Sequence, residues 1–279
     1  MTLSAFIELA KKDYPTVLLS DIELIIAEVL QIHHLDFYLY QERILTKTEI
    51  AKIDLMLQAR SDNRPLQYIF GYTEFRNLSI EVGDGVLIPR PETEMLVDIS
   101  VELLDSVKAP KVCDIGTGSG IIALSIAQEV SDSEVIGIDI SREALKYAEN
   151  NKLKNKIGNV DFMYGDLFSP YDKSVSPPQF DLITANLPYV SEILFEVLPD
   201  EVASYEPESA LLSGSDGLDL IRKIIPQAKK YIKGNGHIIL EFSPEQDDEI
   251  KLLLNQNNYR DVQIVKDLTG KERFAVAKS

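Results

Sequence analysis

The strongest constraint on the fold is a regular alternation of short apolar runs and helical stretches that begins after Pro110. Parallel strands need crossover connections, which are usually helices, so this alternation predicts an α/β domain with a mostly parallel sheet covered by helices. Apolar runs lie at 111–116, 134–140, 160–166, 180–186 and 237–242, and two strand candidates that are close enough to form a hairpin follow at Val262–Asp267 and Arg273–Lys278.

Residues 1–70 have a different pattern, without strand-like runs. Capping boxes, in which Ser or Thr is followed three residues later by Glu, mark predicted helix starts at Ser20 and Thr46. Apolar residues after Thr46 recur at the spacing of one helical face. This part of the chain therefore predicts a small helical bundle.

A third pattern separates these two parts. Tyr72–Phe75 and Leu78–Val82 have the composition of strands, and a glycine-containing turn follows them. The predicted organisation is a helical domain at 1–70, a β-hairpin linker at 71–91 and an α/β domain at 92–279.

Composition and charge make several classes of protein unfavourable. The chain has 28 basic and 45 acidic residues and a formal net charge of −17, which argues against a nucleic-acid substrate and suits a partner with a basic surface. Cys113 is the single cysteine, so no internal disulfide can form. No apolar run reaches the ~20 residues that span a bilayer, and the first residues lack a signal-peptide pattern, so we expect a cytoplasmic protein that does not enter a membrane.

A glycine-rich turn follows the first strand of the α/β domain. Gly116, Gly118 and Gly120 allow a tight turn and a close approach of the backbone to a ligand. The spacing differs from that of the dinucleotide fingerprint, which requires Gly where this chain has Ile121. Without a diphosphate, the start of the next helix can receive a carboxylate, such as that of methionine.

Acidic residues follow the next two strands. Asp139 lies nineteen residues after Gly120, which is the place of a residue that binds ribose hydroxyls, although a carboxylate there can also cap a helix. Asp166 is placed to accept the adenine amine and Leu167 to cover the ring; a turn aspartate and a core leucine are the alternative. Together with the glycine turn, these residues indicate an adenosine-type cofactor.

The fourth strand ends in Asn186-Leu187-Pro188-Tyr189. This tetrad is similar to the Asn/Asp-Pro-Pro-Tyr motif of methyltransferases that act on planar nitrogens, with Leu in place of the first Pro. The Asn186 side-chain oxygen and the Pro188 carbonyl can accept the hydrogens of an amide and direct its lone pair towards a methyl donor, while Tyr189 packs on the flat face. An ordinary β-turn is the alternative.

Further segments make the resemblance specific. The chain resembles release factor glutamine methyltransferases of the PrmC/HemK type over almost its whole length. The distinctive segment is Ile88–Glu94, which reads Ile-Pro-Arg-Pro-Glu-Thr-Glu, and it is preceded by an Arg-Pro-Leu-Gln-Tyr-Ile segment that starts at Arg64. Tyr205–Pro207, Gly214–Leu218 and Asp267–Gly270 match later blocks of the family.

The resemblance implies a helical domain that recognises a class I peptide-chain release factor and a Rossmann-like class I methyltransferase domain. It implies methylation of the glutamine in a Gly-Gly-Gln motif, with S-adenosylmethionine as donor, S-adenosylhomocysteine as product and no metal. We expect a monomer. The catalytic residues are then Asn186, Pro188 and Tyr189, and the substrate-binding residues add Leu187, Arg90 and Glu92. The cofactor-binding residues are Gly116, Thr117, Gly118, Ser119, Gly120, Asp139, Asp166, Leu167 and Asn186.

Some features leave alternatives open. Leu187 makes the tetrad similar to that of ribosomal RNA adenosine dimethyltransferases, so an adenine amino-methyltransferase is the first alternative and a non-catalytic binding module the second. Glu208 and Ser243 stand where the family usually has Arg and Gly. Arg90 and Glu92 either line a substrate entrance or form a surface ion pair. Glu241 either approaches a helix or forms part of the cofactor pocket, and its position favours neither alternative.

Overall fold

In the computed structural model, which describes residues 1–279, the chain divides into two units. The N-terminal unit comprises Met1–Gly71 and Pro199–Tyr205, and the C-terminal unit comprises Tyr72–Leu198 and Glu206–Ser279. The α-helices are α1 (Leu3–Asp13), α2 (Leu19–Leu30), α3 (Lys47–Ser61), α4 (Leu66–Phe70), α5 (Glu94–Leu104), α6 (Ile121–Glu129), α7 (Arg142–Lys154), α8 (Glu192–Phe195), α9 (Asp200–Ala203), α10 (Asp219–Ala228) and α11 (Asp247–Gln256). None of them combines the length and the apolar character needed to cross a bilayer.

The N-terminal unit buries the apolar faces of α1, α2 and α3 around one core, which includes Phe6, Ile26 and Ile53. At Thr46 the predicted capping box is confirmed, because the hydroxyl accepts a hydrogen bond from the Glu49 N–H and the Glu49 carboxylate accepts one from the Thr46 N–H.

The capping box predicted at Ser20 is wrong. Helix α2 starts one residue earlier, at Leu19, and Leu18 makes no side-chain cap. The neighbouring Asp21 is buried, and its carboxylate binds the Arg60 guanidinium at 2.7 Å, so a contact from α3 fixes this end of α2. A buried ion pair between helices has replaced the local cap.

The strands are β1 (Tyr72–Phe75), β2 (Leu78–Glu81), β3 (Lys111–Ile115), β4 (Glu134–Asp139), β5 (Val160–Tyr164), β6 (Phe180–Ala185), β7 (Ile232–Glu241), β8 (Arg260–Lys266) and β9 (Glu272–Lys278). Seven of them form one sheet in the order β5-β4-β3-β6-β7-β9-β8. The first five strands of that order are parallel, and β9 runs antiparallel to β7 and β8. The mostly parallel α/β sheet and the terminal hairpin are therefore confirmed.

The strand order contains one switch point. The chain moves outward from β3 to β4 and β5, and then returns to the other side of β3 with β6. Ligands of open α/β sheets bind outside the carboxyl ends of the strands at such a point. The pairing of Ile115 with Ala185 places the residues that follow β3 and β6 side by side.

The hairpin of β1 and β2 packs on α7 through asparagine side chains. The Asn151 side chain is fully buried; its amide nitrogen donates to the Glu81 and Ser119 carbonyl oxygens at 3.1 and 3.0 Å, and its oxygen accepts from the Glu81 N–H at 2.6 Å. One side chain thus joins the hairpin, α7 and the turn before α6.

Replacement of Asn151 by Ala should destabilise the C-terminal unit by at least about 2 kcal/mol, because buried backbone groups lose their partners. Thermal unfolding followed by circular dichroism would show this as a fall in the melting temperature of several degrees. The neighbouring Asn150 is exposed and makes one contact of 3.4 Å, so Asn150→Ala is the matched control and should change little. Equal melting temperatures for the two variants would contradict this prediction.

Candidate functional site

A cavity of about 460 Å³ opens at the carboxyl ends of β3, β4, β5 and β6, which is the edge that contains the switch point. Small-molecule sites commonly have volumes of about 300–1,000 Å³. Predicted site residues that line this cavity are Arg90, Gly116, Thr117, Gly118, Ser119, Asp139, Asp166, Leu167, Asn186, Leu187 and Pro188. Apolar walls are added by residues such as Ile121, Ile140 and Leu212.

Three predicted residues lie outside this lining. Gly120 is the N-cap residue directly before α6, where an added Cβ atom would lie 3.0 Å from the Phe162 ring. Glu92 is exposed, and Tyr189, the last member of the tetrad, is partly buried. The role of Gly120 in the structure is therefore the close packing of α6 on β5.

The glycine turn brings backbone groups to the cavity. Gly116 has φ +73°, and a Cβ atom there would lie 2.7 Å from Leu187 Cδ2. Gly118 has φ +57°, and an added Cβ would meet no protein atom within 4 Å. Both positions require the left-handed backbone region that favours glycine, and the turn is packed against the tetrad on one side only.

Asp139 fixes the turn from the end of β4. Its two carboxylate oxygens accept hydrogen bonds from the Gly118 N–H at 2.8 Å and from the Ser141 N–H at 2.7 Å. Burial raises the pKa of this carboxyl group, and these N–H donors act in the opposite direction. Ser141 caps α7 with its own hydroxyl, so Asp139 is not the side-chain cap of that helix.

The two residues after Gly165 have different environments. Asp166 is exposed, whereas Leu167 is buried in the core cluster of the sheet and has φ +48°. Both also line the cavity. The core position predicted as the alternative for Leu167 thus coexists with its place in the wall of the cavity.

Leu187, which replaces proline in the tetrad, packs into the core beside Gly116 and is 7% exposed. Its backbone leads directly to Pro188, which lines the cavity. The leucine side chain therefore holds the tetrad by packing, where proline would hold it by a fixed φ angle.

The Asn186 amide is the first member of a buried hydrogen-bond chain. Its nitrogen donates to Thr93 Oγ1 at 3.2 Å, and the Thr93 hydroxyl donates to Glu241 Oε2 at 2.9 Å. The Tyr189 hydroxyl donates to Glu241 Oε1 at 3.4 Å. Glu241 thus joins two members of the tetrad from the end of β7.

The backbone of the tetrad is held by a second side chain from the same region. Gln246 donates from its amide nitrogen to the Tyr189 and Asp216 carbonyl oxygens at 3.0 and 3.1 Å. Gly217 lies next to the Tyr189 carbonyl oxygen and the Gln246 amide, and an added Cβ atom there would clash with both. The segment after β7 is therefore closely fitted to the tetrad.

Sequence reasoning missed the roles of Thr93, Glu241 and Gln246. Thr93 lies inside the distinctive segment at 88–94, so the family resemblance of that segment could have pointed to it. Burial raises the pKa of Glu241 to about 7, while the Thr93 hydroxyl and the Arg273 guanidinium act in the opposite direction. A buried carboxyl group with a raised pKa beside a cavity is a candidate functional group, and its burial follows from the fold, not from a local sequence pattern.

Arg90 forms its ion pair with Glu206 at 2.6 Å. The alternative prediction of a surface ion pair between Arg90 and Glu92 is therefore wrong. The Glu206 carboxylate also accepts from the Ile88 N–H at 3.4 Å and is almost completely buried. Arg90 is 32% exposed and lines the cavity. Glu206 therefore anchors the proline-rich segment and holds the guanidinium at the wall of the cavity. No group of three or more His, Cys, Asp or Glu side chains is placed to hold a metal ion.

Comparisons with known proteins agree with this geometry. A model of a methyltransferase domain matches residues 106–275, and a model of the PrmC N-terminal domain matches residues 5–71. A release factor glutamine methyltransferase of Fusobacterium nucleatum is 39% identical over 271 residues, which cover 97% of this chain and 75% of the relative. A release factor glutamine methyltransferase of Thermodesulfovibrio yellowstonii is 39% identical over 254 residues, with 90% and 89% covered.

Solved structures show the same fold at low sequence identity. The hMettl16 catalytic domain, in complex with MAT2A 3'UTR hairpin 1, has a TM-score of 0.59 and 15% identity, with 80% of each chain covered. The 16S rRNA N2 G1207 methyltransferase of T. thermophilus, in complex with AdoMet and guanosine, has a TM-score of 0.55 and 16% identity, with 75% of this chain and 49% of the other covered. These likenesses confirm the methyltransferase fold class and carry no information on the substrate.

Proposed function

The chain belongs to the release factor glutamine methyltransferases, and we propose that it transfers a methyl group from S-adenosylmethionine to the side-chain amide nitrogen of the glutamine in the Gly-Gly-Gln motif of class I peptide-chain release factors. The observation that carries this proposal is the adjacency of the glycine turn and Asn186 at the switch point, where the register of β3 with β6 places them side by side. A cofactor cradle and an amide-binding residue therefore share one cavity.

The residues present fit S-adenosylmethionine. The glycine turn brings backbone N–H groups to the wall of the cavity, and the space beside Gly118 contains no protein atom within 4 Å of an added Cβ. The Asp139 carboxylate at the end of β4 is placed for ribose hydroxyls, since each oxygen retains a lone pair after its backbone contact. Asp166 and Leu167 stand at the next strand end, where an adenine ring would lie.

S-adenosylmethionine supplies an electrophilic sulfonium methyl group. The chain supplies position and polarity for the acceptor nitrogen. A glutamine amide is a poor nucleophile because its lone pair is delocalised into the carbonyl group. Asn186 Oδ1 and the Pro188 carbonyl oxygen accept the two amide hydrogens, which directs the lone pair towards the methyl group. Placement of the reacting atoms at ~3 Å would then lower the barrier without a strong general base. The nitrogen would gain the methyl group and release one of its hydrogens as a proton, which becomes acidic as the new bond forms, with S-adenosylhomocysteine as the leaving group.

We propose that Asn186, Pro188 and Tyr189 are the catalytic residues and that Leu187, Arg90 and Glu92 contribute to the substrate entrance. Support comes from the cavity, which Asn186, Pro188 and Arg90 line. Glu92 is exposed and belongs to the same segment of the chain as Arg90. A positively charged substrate surface suits the acidic chain, whose net charge is −17.

The helical part of the chain has a separate proposed role. We assign release-factor recognition to residues 1–70, because the match to the PrmC N-terminal domain covers residues 5–71 and lies outside the methyltransferase match. The hairpin residues 71–91 connect this part to the methyltransferase domain at 92–279. We further propose that the protein acts as a monomer, since one C-terminal unit supplies all residues that line the cavity.

The test is incubation of the purified protein with S-adenosylmethionine and a class I release factor, followed by peptide mass spectrometry. We expect one added methyl group on the glutamine of the Gly-Gly-Gln motif. The control substrate carries Gln→Ala at that position and should remain unmodified. Methylation of RNA, with no methyl group on the release factor, would favour the adenine amino-methyltransferase instead. Cofactor binding without any methylated product would favour a binding module.

A further inference from the structure

We propose that Glu241 is a positioning residue of the methyl-transfer site, which sets the orientation of the Asn186 amide through Thr93 and holds the Tyr189 hydroxyl. This inference rests on the proposed function, because it assigns the chain of contacts behind the tetrad to catalysis. Glu241 ends β7, beside β6 in the sheet, and is 2% exposed. It is absent from the lining of the cavity, so it acts through its neighbours.

The direction of each hydrogen bond follows from the chemistry of the groups. An ionised carboxylate only accepts hydrogen bonds. Thr93, which is fully buried, must therefore donate its single hydroxyl hydrogen to Glu241 Oε2 at 2.9 Å. The Thr93 oxygen is then an acceptor, and it must receive the Asn186 N–H at 3.2 Å.

This sequence of donors and acceptors selects one of two amide orientations. With the Asn186 nitrogen directed to Thr93, the amide oxygen is the atom left for the substrate. The reversed orientation would place the Asn186 oxygen against the Thr93 oxygen and present N–H groups to a glutamine amide that itself needs acceptors. Glu241 therefore determines that Asn186 acts as an acceptor, which the transfer reaction requires.

Tyr189 receives the second contact of the same carboxylate, through its hydroxyl at 3.4 Å. Its backbone carbonyl is held independently by Gln246. Tyr189 is consequently held at its hydroxyl by the end of β7 and at its backbone by the segment that follows β7. Glu241 is the one side chain that forms hydrogen bonds both with Thr93, the partner of Asn186, and with Tyr189.

The ionisation of Glu241 gives the proposal a measurable signature. Burial raises its pKa from 4.5 to about 7, with Thr93, Arg273 and Tyr189 lowering it and Glu92 raising it further. Below that pH one carboxyl oxygen carries a proton and donates, so one of the two contacts must reverse: a proton on Oε2 reverses the Thr93 contact and frees the Asn186 amide to turn, and a proton on Oε1 reverses the Tyr189 contact. The kcat of methyl transfer should therefore fall as the pH decreases through about 7.

Glu241→Gln is the first test variant, because it matches the size of glutamate and copies its neutral form. We expect kcat at pH 8 to fall roughly 10-fold to 100-fold, which is the usual cost of a misplaced reacting group. The affinity for S-adenosylmethionine, measured by calorimetry, should stay within about twofold, since Glu241 does not line the cavity. The variant should not be less stable at pH 8, because an ionised buried glutamate with a raised pKa costs folding free energy above that pKa.

Thr93 provides a matched pair of variants. Thr93→Ser keeps the hydroxyl that connects Asn186 to Glu241 and should retain most turnover. Thr93→Val keeps the shape of threonine and removes the hydroxyl, so it should lose turnover to the same degree as Glu241→Gln. Melting temperatures of both variants show whether each is folded; Thr93 itself lines the cavity, so the cofactor affinity of each variant is measured separately and turnover is compared at saturating cofactor.

Wild-type methylation of the release factor is the condition for this test, and its absence would contradict the proposed function itself. With an active wild type, the proposal expects the pH dependence near 7 to disappear in Glu241→Gln. Asp114 also has a pKa raised by burial to about 7, so the comparison of the two profiles is needed to identify the group. Unchanged kcat in Glu241→Gln and in Thr93→Val, or identical pH profiles, would overturn the assignment of Glu241.

Discussion

Asn186→Ala is expected to reduce kcat by about 10²–10³-fold while leaving the fold intact. The substitution removes the side-chain oxygen that accepts a hydrogen of the glutamine amide. Loss of one fixed polar contact to a transition state typically has an effect of this size. Initial rates with saturating cofactor and release factor, together with the circular dichroism spectrum, measure it.

A matched asparagine distinguishes this effect from a general one. Asn235 is exposed in β7, at the amino-terminal part of the strand and far from its end at Glu241. Asn235→Ala should therefore retain wild-type kcat. A folded Asn186→Ala protein with near-normal turnover would refute the acceptor mechanism.

Gly116→Ala should weaken the binding of S-adenosylmethionine by at least about tenfold and lower turnover as well. The backbone at φ +73° disfavours any residue with a Cβ by about 1–2 kcal/mol. The new methyl group would also lie 2.7 Å from Leu187 Cδ2, so the tetrad must shift to admit it. Isothermal titration calorimetry with the cofactor measures the change in Kd.

Gly234→Ala is the control for Gly116→Ala. Gly234 lacks a positive φ, and an added Cβ there would meet no atom within 4 Å. Cofactor binding should therefore be unchanged by this substitution. If both alanine variants bind the cofactor like the wild type, the glycine turn does not form the cradle proposed for it.

The parallel part of the sheet could be predicted because each strand is a compact apolar run with a clear end. β7 was predicted only from residue 237, whereas it starts at Ile232. Gly234 and Asn235 interrupt the apolar pattern there and have the composition of a turn. The pairing with β6 is also irregular between Phe180 and Leu182, which shows where the sheet accommodates them.

The residues behind the tetrad could not be predicted from local patterns. Glu241 is 55 residues from Asn186 in sequence, and only the adjacency of β6 and β7 brings them to the same strand ends. Its burial, rather than its spacing, makes it unusual. Similarly, the capping box predicted at Thr46 forms, whereas the one predicted at Ser20 does not. Asp21, which follows Ser20, forms an ion pair with Arg60 of α3 instead.

The N-terminal unit is built from two separate stretches of the chain, which limits how such domains can be exchanged between proteins. Pro199–Tyr205 completes this unit, since the Glu201 carboxylate binds Arg60 at 2.9 Å and the Tyr205 hydroxyl donates to the Asp62 carbonyl at 2.6 Å. A gene fusion joined at residue 71 would transfer the helices without these two partners. Chimaeras between relatives should therefore express and fold better when the recombined segment at 199–205 comes from the same parent as the helices.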